Sequence, residues 1–168
     1  MPYFLRVIRK PRWYLERALA YLDTGQFPAD PLADLNTQDN LLSVWHVEDD
    51  QSNLARIVTA LAANRERLDK LDYALIDHLK VQELQMKVER SSGGTPDRIA
   101  NDWHRDICEL SALNLTDLAK AILPERDKRH RVSAKEIQQR IREAIQSGRI
   151  DTDRLKPQLK AKLEQTQG

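Results

Sequence analysis

The sequence predicts an α/β or α+β fold, with a small mixed sheet of three or four strands, packed helices and a C-terminal helical hairpin. Short runs of β-branched and aromatic residues at 3–8 and 41–47 are typical of strands. The residues after the second run carry apolar side chains at helical spacing. At 168 residues, of which 40% are apolar, the chain is long enough to bury one globular core. A mostly helical fold is the alternative, because residues 68–79 fit a helix as well as a strand.

The first 90 residues are predicted to alternate strands with helices. Pro11 suits the first turn of the first helix, and Gly25 ends it. The second helix has apolar residues from Leu54 to Ala62 at spacings of three and four, which form a stripe facing a core. A strand, a helix and a strand between residues 41 and 77 make a crossover unit of normal length. In order, the predicted elements are a strand at 3–8, a helix at 11–22, a loop at 26–39, a strand at 41–47, a helix at 54–62 and strands at 72–77 and 84–88.

Residues 98–122 are predicted to form one long helix or two collinear helices. A loop rich in serine and glycine runs from Ser91 to Pro96. The helix at 98–122 follows, because its apolar residues recur every three or four positions. Its first stripe consists of Ile99, Trp103, Ile107 and Leu110, and its second of Leu115, Leu118 and Ile122.

The composition changes after residue 123, where apolar residues become sparse and basic ones frequent. We therefore expect one globular domain at 1–123 and a basic helical appendage at 124–168. Ser133, with the glutamate three residues later, forms a capping box that starts the first helix of this appendage. Asp151 or Thr152 caps the last helix, whose leucines are spaced by four.

The net charge of +1 conceals an uneven distribution of charged residues. Basic residues dominate both ends of the chain, and an acidic stretch follows the first basic block. One interpretation is that the first basic and the acidic block contact each other in the fold. The other is that the basic ends face a polyanion. Counted along the sequence, the formal charges are +4 for 1–20, −7 for 21–55, +1 for 56–90, −2 for 91–123 and +5 for 124–168.

Several classes of protein are excluded by what the sequence lacks. No glycine occurs between residues 26 and 92, so the strand and helix at 41–64 cannot form a phosphate-binding P-loop or a dinucleotide fingerprint. One cysteine and four scattered histidines give neither a disulfide framework nor zinc-ligand spacing. No apolar run approaches the length of a membrane span, and the N-terminus has no apolar segment typical of a secretory signal. We expect a cytoplasmic protein without a cofactor or a membrane partner.

Acidic residues at the end of the 41–47 strand form the first candidate site. Carboxylates beside a histidine could hold Mg²⁺ or Mn²⁺ and activate a water. Acids at the start of a helix also cap it and interact favourably with its dipole, and this role is the one we favour, so no metal is expected. The candidate metal ligands are His46, Glu48, Asp49 and Asp50, together with Asp77 from the next strand.

The second candidate is a histidine–cysteine pair. His104 and Cys108 lie four residues apart in the predicted 98–122 helix, so their side chains would share one face and could form a nucleophilic pair. A cysteine inside a helix lacks the N-terminal dipole that lowers a thiol pKa, so Cys108 is interpreted as a core residue. The sequence His104-Arg105-Asp106 matches the tripeptide of a kinase catalytic loop, but its place in a helix makes the match a chance one. No catalytic residue is therefore assigned.

Basic side chains near both ends form the third candidate, a surface for nucleic acid or a protein partner. Clustered lysine and arginine neutralise phosphates, and aromatic residues beside them stack on bases. A solvated, ion-paired surface is the alternative interpretation. The candidate residues are Arg9, Lys10, Arg12, Trp13, Arg126, Lys128, Arg129 and Arg131.

The function expected from these observations is that of a non-enzymatic interaction or regulatory protein, an adaptor or accessory subunit. Catalytic motifs are missing, and the narrow apolar stripes of the appendage could pack on a protein partner or on a second copy. Nucleic-acid binding through the basic ends is the first alternative. A metal-dependent hydrolase or nuclease, with its acidic site at the end of the 41–47 strand, is the second.

Overall fold

A computed structural model describes residues 1–13 and 26–165 of the protein. The strands are β1 (Tyr3–Ile8), β2 (Leu42–Val47), β3 (Leu71–Asp77), β4 (Lys87–Arg90), β5 (His104–Cys108) and β6 (Arg129–Val132). They form one sheet in the order β4-β5-β2-β1-β3-β6, in which every neighbouring pair is antiparallel. Strands β2 and β3 therefore run in the same direction, with β1 between them.

Helices cover both faces of the sheet. In chain order the α-helices of the described residues are α1 (Ala29–Leu32), α2 (Leu54–Ala63), α3 (His78–Glu83), α4 (Arg98–Asn101), α5 (Ala112–Ile122), α6 (Ala134–Gln146) and α7 (Pro157–Gln165). Short 3-10 helices lie at Lys10–Trp13, Arg126–Lys128 and Thr152–Arg154. No helix among the described residues is long and apolar enough to cross a membrane.

Two apolar clusters, one on each face, hold the three layers together. The first contains Leu5, Val47 and Tyr73 of the sheet with residues of α2, α6 and α7. The second contains Phe4 and Ile76 with residues of α3, α5 and the 3-10 helix at Lys10–Trp13. Alternate strand residues point to opposite faces, which is why Phe4 and Leu5 enter different clusters. Each fully buried leucine or isoleucine stabilises the fold by about 2 kcal/mol.

The mixed α/β class is confirmed, but the sheet has six strands instead of three or four. The strands expected at 3–8, 41–47 and 72–77 are present within one residue, and residues 71–77 are a strand, not a helix. The predicted strand at 84–88 lies at Lys87–Arg90, after α3. The crossover from β2 through α2 to β3 is also present, with β1 inserted between its strands.

The long helix predicted at 98–122 is wrong. The structure divides this segment into α4, strand β5 and α5. Trp103 packs on the first cluster and Ile107 lies in the second, so the apparent helical stripe does not face one surface. Residues of β5 pair with β2 and β4, and these long-range hydrogen bonds outweigh a local periodicity that fits a helix. Ser111 then caps α5 in a box with Asn114.

The chain after residue 123 contributes to the same sheet and the same core. Strand β6 pairs with β3, and Ile141 and Leu159 lie in the first cluster with 0% exposure. Ser133 caps α6 as predicted. The cap predicted for the last helix at Asp151 or Thr152 is wrong, because Asp151 caps the 3-10 helix at Thr152–Arg154 and α7 begins only at Pro157. That residues 1–123 form a domain able to fold without this segment stays a prediction. The predicted helix at 11–22 lies largely outside the described residues, apart from the 3-10 helix that contains Pro11.

Candidate functional site

The basic segments predicted near the two ends meet in the fold. Residues 9–13 follow β1, and residues 126–131 run into β6. The two segments lie at the β6 edge of the sheet, and we call this region the basic junction. The guanidinium of Arg129, which is buried, donates to the carbonyl of Trp13. His130 stacks on Tyr73 with ring centroids 5.0 Å apart.

Carboxylates neutralise much of the basic junction. Arg131 donates from Nε and Nη2 to the two oxygens of Asp72, at 2.6 and 2.9 Å. The Lys10 amide donates to the same carboxylate at 3.0 Å. Burial raises the pKa of Asp72, but the hydrogen bonds from Arg131 and Lys10 lower it further, so the pKa lies below its usual value. Lys128 lies 3.3 Å from Glu125 and about 4.0 Å from Asp77.

Asp34 organises the N-terminal part of the junction. Its carboxylate, only 8% exposed, accepts from the Arg9 amide at 2.7 Å, Arg12 Nη1 at 3.0 Å and Trp13 Nε1 at 2.9 Å. Arg6 donates from Nε and Nη2 to the Asp34 carbonyl. The expected contact between the first basic block and the acidic block is thus confirmed for these residues.

The acidic candidate residues act as local hydrogen-bond acceptors. Asp50 accepts from the Ser52 amide at 3.0 Å, and Glu48 accepts from the Ser52 hydroxyl at 3.0 Å. Asp77 caps α3 by accepting from the Leu79 amide. The described residues include no group of three or more histidine, cysteine, aspartate or glutamate side chains placed to hold a metal ion.

His46 lies on β2 opposite Phe4 of β1. The Phe4 ring lies between two imidazoles, with ring centroids 6.1 Å from His46 and 5.1 Å from His78. Burial and then the positive charge of Arg105 lower the pKa of His46, so its imidazole is neutral at pH 7.

His104 and Cys108 do not form the pair expected on a helix. Both lie on β5, where four residues span about 13 Å. His104 Nδ1 instead lies 2.7 Å from the Ser91 hydroxyl, and its ring packs edge-on against Trp45. Burial lowers the pKa of His104 and raises the pKa of the Cys108 thiol, so both groups are neutral at pH 7.

A cleft with several arginines lies where α2, α4 and the connection from α6 to α7 meet. Its volume is about 530 Å³, within the range of ligand-binding sites. We call it the arginine cleft. Its lining residues are Arg56, Pro96, Asp97, Arg98, Ile99, Gly148, Arg149, Asp151 and Arg154, none of which was a predicted site residue.

A dense hydrogen-bond network fixes the α4 wall of the cleft. The Asp97 carboxylate, 3% exposed on its side chain, caps α4 by accepting from the amides of Ile99 and Ala100. The same carboxylate binds Arg56 of α2 through two hydrogen bonds of 2.7 and 2.8 Å. The start of α4 is therefore clamped to α2, and this clamp holds Arg98 and Ile99 in place.

The opposite wall depends on the turn that ends α6. Gly148 has φ +69°, a left-handed conformation that glycine adopts without steric cost. The Gly148 amide donates to the Ile145 carbonyl and the Arg149 amide to the Ala144 carbonyl, a paired arrangement that reverses the chain after a helix. The reversal carries Arg149 and Asp151 into the cleft. Arg154 then joins the two walls by donating to the Pro96 carbonyl at 3.3 Å.

The charges of the cleft are unevenly matched. Four guanidinium groups face two carboxylates, a net charge of +2, and the Asp97 charge is taken up by Arg56. Arg98, Arg149 and Arg154, which we call the cleft arginines, are exposed. Within the described part of the chain, none of them lies within 4.0 Å of a carboxylate oxygen. Asp151 partly balances them while it also accepts from the Asp153 amide. This excess of positive charge suits an anionic ligand.

Sequence reasoning missed the cleft because its arginines are dispersed. Arg56, Arg98 and the pair Arg149 and Arg154 come from three separate segments, α2, α4 and the connection from α6 to α7, and form no local motif. One usable signal was Gly148, a glycine directly after a helical stripe and followed by an arginine.

Compared with known proteins, the chain matches no family model, and no curated protein or solved structure is significantly similar to it.

Proposed function

We propose that the protein is a non-enzymatic interaction protein that holds an anionic group of a protein partner in the arginine cleft. The observation that carries the proposal is the convergence of Arg98, Arg149 and Arg154 on one cleft without a carboxylate partner among the described residues. Guanidinium groups bind carboxylates and phosphates through planar pairs of hydrogen bonds. Among the described residues, Arg149 and Arg154 each donate one side-chain hydrogen bond to a neutral group, the Ser147 hydroxyl and the Pro96 carbonyl, so their charges are available to a ligand.

The residues that line the cleft are better suited to binding a ligand than to catalysing a reaction. A hydrolytic site needs a nucleophile or a base next to the group it attacks. The lining residues supply arginine, aspartate, proline, isoleucine and glycine, and both aspartates serve as helix caps. The cleft is therefore suited to recognise an anionic group and to leave it unchanged.

Affinity capture with the full chain tests this function. We immobilise three forms of the protein in parallel: wild type, the triple variant Arg98→Ala/Arg149→Ala/Arg154→Ala and the control Arg67→Ala. Arg67 serves as the control because it is an exposed arginine outside the cleft. We expect one protein retained by wild type and by the control, absent from the triple variant, and eluted when salt rises from about 0.05 to 0.5 M. Equal retention of every captured protein by the triple variant would contradict the proposal.

Nucleic-acid binding remains the alternative, and the convergence of the basic segments at the basic junction favours it. The carboxylates of Asp34, Asp72 and Glu125 reduce the charge available there. Fluorescence anisotropy of a labelled DNA duplex, titrated at low salt, separates nucleic-acid binding from the proposed binding of a protein partner. The titration is made with wild type and with Arg9→Ala/Lys10→Ala. A flat titration removes this alternative, while salt-dependent binding that the double variant loses would establish it.

A further inference from the structure

We infer that the group held in the arginine cleft is a phosphomonoester dianion on a protein partner, with an apolar residue of that partner seated on Ile99. This inference rests on the proposed function and narrows it to one ligand chemistry. Its basis is the charge of the cleft, the geometry of its donors and the apolar surface beside them.

The charge of the cleft matches a dianion better than a carboxylate. The cleft arginines contribute three positive charges, Asp151 contributes one negative charge, and the pair of Arg56 with Asp97 is neutral. A phosphomonoester carries a charge of about −1.5 to −2 at pH 7, which balances the remainder of +2. A single carboxylate would leave about one positive charge unbalanced in the cleft.

The donors are arranged around the cleft instead of along one side. Arg98 lies on the α4 wall, Arg149 on the turn after α6, and Arg154 on the 3-10 helix that follows. A carboxylate has two oxygens in one plane and is satisfied by one guanidinium fork. A phosphoryl group presents three oxygens in different directions and can accept from donors on several walls.

The apolar contact is provided by Ile99. Its side chain is 52% exposed, although large apolar side chains of this fold are mostly buried. It lies directly beside Arg98 on α4 and is held there by the Asp97 cap. A neighbouring residue of a phosphorylated segment could cover it, and this contact would distinguish a phosphopeptide from free phosphate.

Calorimetric titration of the full chain with small anions is the first part of the test. The probes are inorganic phosphate, sulfate and acetate at pH 7.5 and pH 5.0. We expect phosphate and sulfate to bind at pH 7.5 and acetate to bind at least about tenfold more weakly. At pH 5.0 inorganic phosphate becomes a monoanion, because its second pKa lies between the two pH values, and should lose affinity about fivefold or more, whereas sulfate remains a dianion and should not. Acetate binding as tight as phosphate binding would overturn the inference.

Three matched peptides form the second part of the test. They share one sequence of about ten residues in which serine, phosphoserine or glutamate precedes a leucine. We expect the phosphoserine peptide to bind at least about tenfold more tightly than the glutamate peptide and than inorganic phosphate. Ile99→Thr should weaken the phosphopeptide several-fold and leave inorganic phosphate unchanged; Leu113→Thr, at an exposed leucine on α5, is the control.

Variants of the cleft arginines complete the design. Arg149→Ala and Arg154→Ala should each reduce phosphopeptide affinity about tenfold, while Arg67→Ala should not change it. Equal affinity for the glutamate and phosphoserine peptides overturns the inference and leaves the proposed function in place. Equal affinity for free phosphate and for the phosphoserine peptide identifies free phosphate as the ligand, and this result also overturns the inference. If no anion binds and affinity capture also fails, both proposals are wrong.

Discussion

The basic junction and the arginine cleft both gather cationic side chains, but only the junction provides them with carboxylates. At the junction Arg12 and Arg131 bind Asp34 and Asp72, which are 8% and 6% exposed. In the cleft, Arg56 is paired with Asp97, and the cleft arginines have no such partner among the described residues.

This difference separates structural charges from charges available for binding. A carboxylate that is buried needs hydrogen bonds or an opposite charge to offset its desolvation, so the cations around it stabilise the fold. Exposed like charges that share one cleft repel each other and add little to stability. The density of lysine and arginine in the sequence is greatest at 126–131, yet the cleft has the less compensated charge.

The largest effect that we expect follows from replacing Asp34. Asp34→Ala leaves the Trp13 indole N–H and the Arg9 amide without their acceptor. The free energy of unfolding should fall by about 3 kcal/mol, measured by urea denaturation at pH 7. The comparison is Asp151→Ala in the cleft, which loses one cap hydrogen bond and should cost about 1 kcal/mol. A smaller loss for Asp34→Ala than for Asp151→Ala would mean that the junction does not carry the stability assigned to it.

The second prediction uses the pH dependence of Asp72. Its pKa in the fold is below the usual value of 3.8, so its interactions stabilise the fold above about pH 4 and are lost as the pH falls through the lower folded value. Asp72→Asn should cost about 1 to 2 kcal/mol at pH 7. The difference between wild type and variant should shrink as the pH falls below 4. Urea denaturation at pH 7, 4 and 3 measures it, and a difference that is constant with pH would contradict the role of the ionised carboxylate.

How far the sequence predicted this molecule depends on where the information for each element lies. The strands β1, β2 and β3 and the helix α2 carry their pattern within a few residues, and each was predicted. Strand β5 was missed because Trp103, Ile107 and Leu110 also fit a helical repeat, and only pairing with β2 and β4 decides between the two. Strand β6 was missed because its sequence, Arg-His-Arg-Val, is mostly basic.

The candidate sites show the same division. The cap at Ser133 is a local signal and was predicted, whereas Asp151 was predicted to cap the last helix and caps the 3-10 helix before it. The convergence of Arg98, Arg149 and Arg154 depends on how α4 packs against the turn after α6, which no local pattern records. The cluster of Arg126, Lys128, Arg129 and Arg131 is visible in the sequence. The carboxylates near Lys128 and Arg131, Asp77 and Asp72, lie more than 50 residues earlier and could not be assigned from it.

The third prediction concerns stabilisation of the fold by an anion. A ligand that binds the folded state at ten times its Kd raises the free energy of unfolding by about 1.4 kcal/mol. Sulfate should therefore raise the Tm of wild type and of Asp72→Asn equally, because the junction is not its site. The triple variant Arg98→Ala/Arg149→Ala/Arg154→Ala should lose this shift, with sodium chloride of equal ionic strength as the reference. An equal sulfate shift in the triple variant would show that the anion acts elsewhere.

The smallest effect that we expect is a gain in the free energy of unfolding instead of a loss. Arg149→Ala removes the charge of one of the three cleft arginines and, among the described residues, one side-chain hydrogen bond, from Nε to the Ser147 hydroxyl at 3.0 Å. At about 10 mM salt the loss of repulsion should raise the free energy of unfolding by about 0.3 kcal/mol, and at about 0.5 M salt screening should remove the difference. Arg12→Ala at the junction should be destabilising at both salt concentrations, because Arg12 lies 3.0 Å from Asp34. A surface substitution usually changes the free energy of unfolding by no more than about 0.5 kcal/mol. If Arg149→Ala lowers it by about 1 kcal/mol or more, Arg149 stabilises the fold as the junction arginines do, and the contrast between the two regions no longer holds.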